Sequence, residues 1–224
     1  MRRILAFYRS SLGKKVVMAV TGIMLVGFIV GHMVGNLKAF QGAEKLNSYA
    51  EFLREVGYPI FGHGELLWIM RGGLIVALVL HILSATQLAL QARAARPVKY
   101  QKGVHLEDSY ASRTMRWGGV IIFLFVLYHL AHLTVGSAHP NFVTGEVYGN
   151  LVVGFQAGWP VAIYSLAVVL LGFHLYHGIW SAIQTLGLNQ GDPNRWRGLS
   201  AAFAILIVIG FLTVPAAVLA GIIN

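Results

Sequence analysis

Apolar positions in this chain run in long, nearly unbroken stretches, separated by short polar segments. Five stretches are long enough to cross about 30 Å of hydrocarbon, which takes roughly 20 helical residues. They lie near 16–37, 66–91, 115–136, 161–186 and 199–222. Lipid offers no partner for backbone N–H and C=O groups, so apolar runs of this length predict helices. The expected fold is an all-α membrane protein with five transmembrane helices, a single domain over residues 1–224. The first run follows Arg2, Arg3, Arg9, Lys14 and Lys15, as an export leader would. It is too long for a leader's apolar region, and Gly35-Asn36-Leu37 is not a small-residue cleavage site, so it reads as a retained helix. In the segment 38–64, Leu46, Tyr49, Ala50 and Leu53 share one face over 44–56, which predicts a short amphipathic helix along the outer surface. The segment 92–114 is polar and basic, with Arg96-Pro97 ending the preceding helix.

Composition narrows this further. Hydrophobic residues make up 57% of the 224, charged ones 11%, and the mean hydropathy is +0.68. That balance excludes an ordinary soluble domain. The absence of cysteine excludes disulfides, cysteine-ligated iron–sulfur clusters and thiolate catalysis. The net charge of +9 reads as a topology signal rather than a nucleic-acid footprint. With the N-terminus inside, thirteen Lys and Arg residues fall on the cytoplasmic side: the five above, Arg93, Arg96, Lys99, Lys102, Arg113, Arg116, Arg195 and Arg197. Three, Lys38, Lys45 and Arg54, fall outside. The positive-inside bias thus predicts a cytoplasmic N-terminus and an outer C-terminus.

Six histidines interrupt the apolar runs: His32, His81, His129, His132, His174 and His177. An imidazole in hydrocarbon is costly unless something binds it, so such residues are functional candidates. The helices alternate in direction and rise 1.5 Å per residue. His32 therefore meets the His129/His132 doublet at one depth, and His81 meets His174/His177 nearer the cytoplasm. Two opposed histidine pairs at two levels suit two stacked b-type haems inside a four-helix bundle. Within each doublet, residues i and i+3 share a face, so spacing leaves both open. His63, His105 and His139 fall in loops or at the boundary and read as solvated. Gly27, Gly31 and Gly35 recur every four residues beside His32, either as a helix-packing seam, the commoner use, or as room for a porphyrin. Arg71 lies one to two turns inside the outer boundary, where it can snorkel outward or meet a haem propionate. Thr21 and Ser84 can each bond a backbone carbonyl. No EF-hand, P-loop, zincin or nucleophile-elbow pattern is present.

The ordered segments also resemble a known family. They are Ser11-Leu12-Gly13-Lys14-Lys15, Met18-Ala19-Val20-Thr21-Gly22, Gly31-His32-Met33-Val34-Gly35-Asn36-Leu37 and Tyr49-Ala50-Glu51-Phe52-Leu53-Arg54. Further along come Leu80-His81-Ile82, Ala94-Ala95-Arg96-Pro97, Ala111-Ser112-Arg113-Thr114-Met115-Arg116, His174-Leu175-Tyr176-His177-Gly178-Ile179-Trp180-Ser181 and Gln184-Thr185-Leu186-Gly187. Together, over nearly the whole chain, they resemble the five-helix, di-haem cytochrome b membrane anchor of succinate dehydrogenase and fumarate reductase (succinate:quinone oxidoreductase). The resemblance implies two haems b: His32 and His129 (alternative His132) on the distal one, His81 and His174 (alternative His177) on the proximal one. Related anchors carry the ligand four residues before a glycine, which points to His174 ahead of Gly178. Some also carry a glutamate just before that ligand as a proton path; Leu170-Leu171-Gly172-Phe173 offers none.

The resemblance further implies a flavoprotein that oxidises succinate, or reduces fumarate, and an iron–sulfur protein docked on the cytoplasmic face, the basic residues of 93–116 and the N-terminal arm supplying contacts. Electrons would cross the haems to a quinone, menaquinone in many such bacterial anchors, with Glu51, Glu55 and Glu65 as candidate proton donors. The dicarboxylate site would lie on the flavoprotein. The setting implied is a bacterial cytoplasmic (inner) membrane, with lipid and these subunits as partners and room for a higher oligomer of the complex.

Overall fold

The computed structural model describes residues 2–95 and 110–224. The expected break at Arg96-Pro97, together with Lys99, Lys102 and His105, lies outside the described residues, and so do the side chains of Arg2, Arg3 and Arg113.

Eight α-helices make up the described fold, and five of them are long and apolar enough to span a membrane. A short helix α1 (Arg2–Arg9), unforeseen in the sequence, packs on the start of α2 (Ser11–Leu37). Ser10 caps α2, its side chain accepting from Gly13 N–H at 2.9 Å, which satisfies one of the free donors of the first turn. Gly13 itself has no room for a Cβ, because the α1 backbone at Phe7 lies against it. A 3-10 turn (Lys38–Gln41) and Gly42, at φ +90°, then redirect the chain into the amphipathic α3 (Ala43–Glu55).

The second span, α4 (Glu65–Ala94), buries little besides Ala77 and Ser84. The third, α5 (Tyr110–Leu130), opens into a wide π turn (Ala131–Val135) and stops at Gly136, φ +85°. A second unforeseen helix, α6 (Val147–Phe155), lies between α5 and α7 (Gly158–Thr185). The last span is α8 (Pro193–Leu219), with Asp192 capping Asn194 N–H at 2.9 Å and Pro193 in its first turn, where a missing N–H costs nothing.

Packing defines the bundle. α2 lies against α4, α5 against α7, and α2 against α7, while α8 covers the α2–α7 seam. α4 and α5 do not pack closely in the described residues. Small residues allow the tight contacts: Gly210 of α8 seats the Met33 side chain, and Gly172 of α7 seats Val208. Met33, Leu175, Ala204 and Ile207 form the core beneath α8. The other core lies at the end opposite the basic residues. There α3 and α6 bring Leu46, Leu151, Val152 and Phe155 onto Tyr164 and the C-terminal turns of α8. The remaining large apolar side chains, such as Ile69, Val76, Leu124 and Ile205, face outward. A soluble protein would not leave them there; a lipid-facing surface would.

Candidate functional site

The histidine pairs sit on the two diagonals of this bundle. His32 of α2 faces His129 of α5, with ring centres 5.7 Å apart. His81 of α4 faces His174 of α7, at 6.2 Å. Two ring nitrogens each about 2 Å from one metal ion, with about 1 Å more from nitrogen to ring centre on either side, give ring centres about 6 Å apart. Both separations match that figure. His81 lies beside Thr21 and Gly22 of α2, about eleven residues along from His32, so the two levels are about 16 Å apart. On the other two helices Gly119 lies beside His174, and Tyr164 beside His129.

Each imidazole has its own surroundings. His81 Nδ1 is 3.1 Å from the Met18 carbonyl and 3.4 Å from the Thr21 hydroxyl. Donation to the carbonyl leaves Nε2 free. The Thr21 hydroxyl bonds the Val17 carbonyl at 2.7 Å. His129 Nδ1 is 3.1 Å from the Tyr164 hydroxyl. His32 stacks on Phe28, ring centres 5.3 Å apart, with Phe211 of α8 beside it at 5.9 Å. Among the described residues, His174 Nδ1 is buried with no hydrogen-bond partner, as is the Ser84 hydroxyl one turn after His81. A buried imidazole nitrogen left unpaired costs about 1–3 kcal/mol, so that ring is not held by hydrogen bonding at Nδ1. By their ring separations, these residues fit a group ligated by paired imidazoles.

The doublets separate clearly. His132 lies in the π turn, 1% exposed, stacked on Tyr128 at 5.3 Å and held by the Tyr164 hydroxyl at 3.0 Å. The ring that faces His32 is that of His129. Likewise the ring that faces His81 is that of His174, and His177 follows one turn later, half-buried.

Two sequence expectations need correction. His139 is not solvated: it is 9% exposed, with Nε2 2.9 Å from the Asn150 carbonyl and Nδ1 accepting from Asn141 N–H at 3.1 Å. The unforeseen α6 covers it, and its ring lies 5.3 Å from that of His132. Nor are Gly27 and Gly31 a packing seam, because a Cβ built on either has no neighbour within 4 Å. Gly35 alone of the three is packed, against Tyr49 of α3.

The remaining candidates lie nearer the surface. Arg71 is exposed, its guanidinium 4.8 Å above the Trp68 ring. Glu51 pairs with Arg54 at 2.7 Å and Glu55 with His63 at 2.7 Å, while Glu65 accepts from Gly62 N–H at 2.9 Å. Glu51, Glu55 and the exposed His63 thus form one surface cluster. The sequence reading missed Tyr164, whose only signal was a hydroxyl in an apolar run, and it missed two cavities. A cavity of about 1040 Å³ opens at the basic end, with Lys15, Arg93, Arg116, Ser181 and Gln184 in its wall. Another, of about 460 Å³, lies at the far end beside His132, His139, Gly154 and Trp159.

Comparison with known proteins agrees with this architecture. Residues 91–214, more than half of the chain, match the family model described as "Succinate dehydrogenase/Fumarate reductase transmembrane subunit". The succinate dehydrogenase cytochrome b558 subunit of Bacillus subtilis (strain 168) is 23% identical over 197 residues, which is 87% of this chain and 90% of that protein. No solved structure matches the chain significantly. With five spans and this match over most of α5, α7 and α8, the chain belongs to the succinate dehydrogenase/fumarate reductase transmembrane subunit family, as a multi-pass inner-membrane subunit of an enzyme complex whose catalytic site lies on another chain.

Proposed function

We propose that this subunit carries two haems b and passes electrons from an iron–sulfur subunit to a quinone. The observation that carries this reading is the pair of diagonal imidazole contacts, each at the spacing of a doubly ligated metal, on two levels of one bundle. His32 and His129 would hold one haem and His81 and His174 the other. Haem iron supplies reversible one-electron transfer at a potential set by its ligands and their surroundings. The chain's own work is to hold the four imidazoles, exclude water and compensate charge. Gly27 and Gly31 leave α2 flat beside His32, and Gly119 leaves α5 flat beside His174. Lys15, Arg93 and Arg116 place positive charge at the mouth of the large cavity, next to the His81–His174 level. There they suit propionates or the acidic face of a docking subunit.

The basic end would be cytoplasmic, as the charge bias implies, and would receive the iron–sulfur subunit, itself joined to a flavoprotein. Arg71, at the depth of His32, suits a propionate of the other haem. Glu51, Glu55 and Glu65, at the same far end, are the proton donors proposed for the quinone, with menaquinone the expected type. The test is a redox-titrated visible spectrum of the purified complex with pyridine-haemochrome quantitation, repeated on His32→Ala, His81→Ala, His129→Ala and His174→Ala. Two haems b per chain, with one lost in each variant, is the expected result. No haem in the wild type would sink the reading, and an intact spectrum in His129→Ala would move that ligand to His132.

A further inference from the structure

We infer that Tyr164 is a positioning residue for the far-end haem, acting through a hydrogen-bond chain that runs from His129 to His132. The inference rests on the ligand scheme proposed above. Tyr164 is 6% exposed, its ring held edge-on between Phe125 and Phe155, each at 4.8 Å. Its hydroxyl lies 3.1 Å from His129 Nδ1 and 3.0 Å from His132 Nδ1. One phenol has one proton, so it donates to one of these nitrogens and accepts from the other.

Coordination settles which. With His129 Nε2 on the metal, its Nδ1 carries the proton and donates to the phenol oxygen. The Tyr164 O–H then donates to His132 Nδ1, which leaves His132 protonated on Nε2. That nitrogen is directed toward Gly154, where an added Cβ would come within 3.2 Å of it and 3.3 Å of His139 Nε2. His139 is already fixed, since Asn141 N–H donates to its Nδ1 and its Nε2–H donates to the Asn150 carbonyl. Were His132 the ligand instead, the same phenol would have to donate to His129. The direction of one O–H therefore reports which member of the doublet is bound.

The chain holds the His129 ring in one tautomer and one orientation, and an N–H donated to oxygen makes a ligand more basic, which favours the oxidised metal. Among the described residues, no other proposed ligand has a side-chain partner as close, for His81 uses a backbone carbonyl and His174 Nδ1 has no partner.

The experiment is Tyr164→Phe in the purified complex, which removes the hydroxyl and keeps the ring. Midpoint potentials and low-temperature electron paramagnetic resonance are read for each haem, and His32→Ala identifies the far-end component. The expected result is a positive shift of that component's potential and a changed resonance, with the other haem unmoved and about 10-fold weaker retention of the far-end haem. His132→Gln, which leaves the phenol in place but alters its acceptor, should move the same component by less. It keeps the test alive if Tyr164→Phe does not assemble. An unmoved far-end haem in whichever variant assembles, or a shift of the His81–His174 component instead, overturns the inference and leaves the ligand scheme standing. A wild type without haem overturns both.

Discussion

The two histidine pairs share a ring spacing but differ in how they are held. At the far end, His129 is fixed by Tyr164, and behind it His132, His139 and Asn150 form a buried polar cluster roofed by α6. At the basic end, among the described residues, His81 leans on a backbone carbonyl, His174 Nδ1 and Ser84 have no partner, and a cavity of about 1040 Å³ lined by Met18, Leu88 and Ser181 opens toward that end. Both ends must satisfy polar groups at membrane depth. Neither end does so fully, since among the described residues the Tyr128 hydroxyl at the far end is unpaired as well, and the difference is that His129 is held by a side chain and His81 by main chain. An electron route with a tightly defined exit and an adaptable, charged entrance would have this form.

The strongest way to break the comparison is to cross the pairs. On the proposed ligand scheme, His32→Ala with His129→Ala removes two ligands of one haem, so one of two haems should survive. His32→Ala with His81→Ala removes one ligand from each and should lose both. Equal haem content in the two double variants, measured by pyridine haemochrome, would show that the pairing is wrong. Next in size is a contrast between two glycines of α2. A Cβ at Gly22 would stand 3.3 Å from His81 Cε1, so Gly22→Val should press on that ring and weaken haem retention about 10-fold at this pair alone. A Cβ at Gly31 has no neighbour within 4 Å, so in Gly31→Leu the haem-free protein should keep its thermal stability within about 0.5 kcal/mol, while the far-end haem loses occupancy. Destabilised haem-free protein would restore the seam that the sequence favoured.

That seam shows where the sequence was readable and where it was not. The five spans follow from length and hydropathy, and the depths of His32 and His81 follow from counting along alternating helices. Neither needs knowledge of neighbours. Gly27 and Gly31 do, since only the position of α4 and α8 decides whether a bare face is packed. α6 escaped notice because the run 147–155, with Gly149 and Gly154 inside it, is half the length of a span and lacks a strong apolar stripe. Its burial of Asn150, Leu151, Val152 and Phe155 comes from the neighbouring π turn and α7 together with α3 and α8, both distant in sequence. His139 was misplaced for the same reason, and Tyr164 was hidden because one hydroxyl in an apolar helix is unremarkable until two imidazoles converge on it.

A smaller effect should follow from discharging the open end. Replacing Lys15, Arg93 and Arg116 together with Gln removes positive charge that favours the reduced state. The His81–His174 haem should therefore become harder to reduce by on the order of 1 kcal/mol, roughly 40 mV for one electron. The cavity is open to solvent, so the shift should shrink as ionic strength rises. A salt-independent shift, or one confined to the other haem, would mean that the charges act through structure instead.

The smallest effect is also the sharpest test of unequal holding. Among the described residues, Thr21 has the one side-chain oxygen within hydrogen-bond distance of His81 Nδ1, but at 3.4 Å it competes poorly with the Met18 carbonyl at 3.1 Å. Its own proton goes to the Val17 carbonyl at 2.7 Å. Thr21→Val keeps the branched shape and removes only the hydroxyl. The carbonyl still fixes the tautomer, so the potential of the His81–His174 haem should move by no more than about 0.5 kcal/mol, the low end for a hydrogen bond. Tyr164→Phe leaves His129 and His132 with no substitute among the described residues and should exceed this clearly. If the two variants instead shift their haems equally, the carbonyl is not what holds His81, and the contrast between a side-chain-fixed end and a main-chain-fixed end fails.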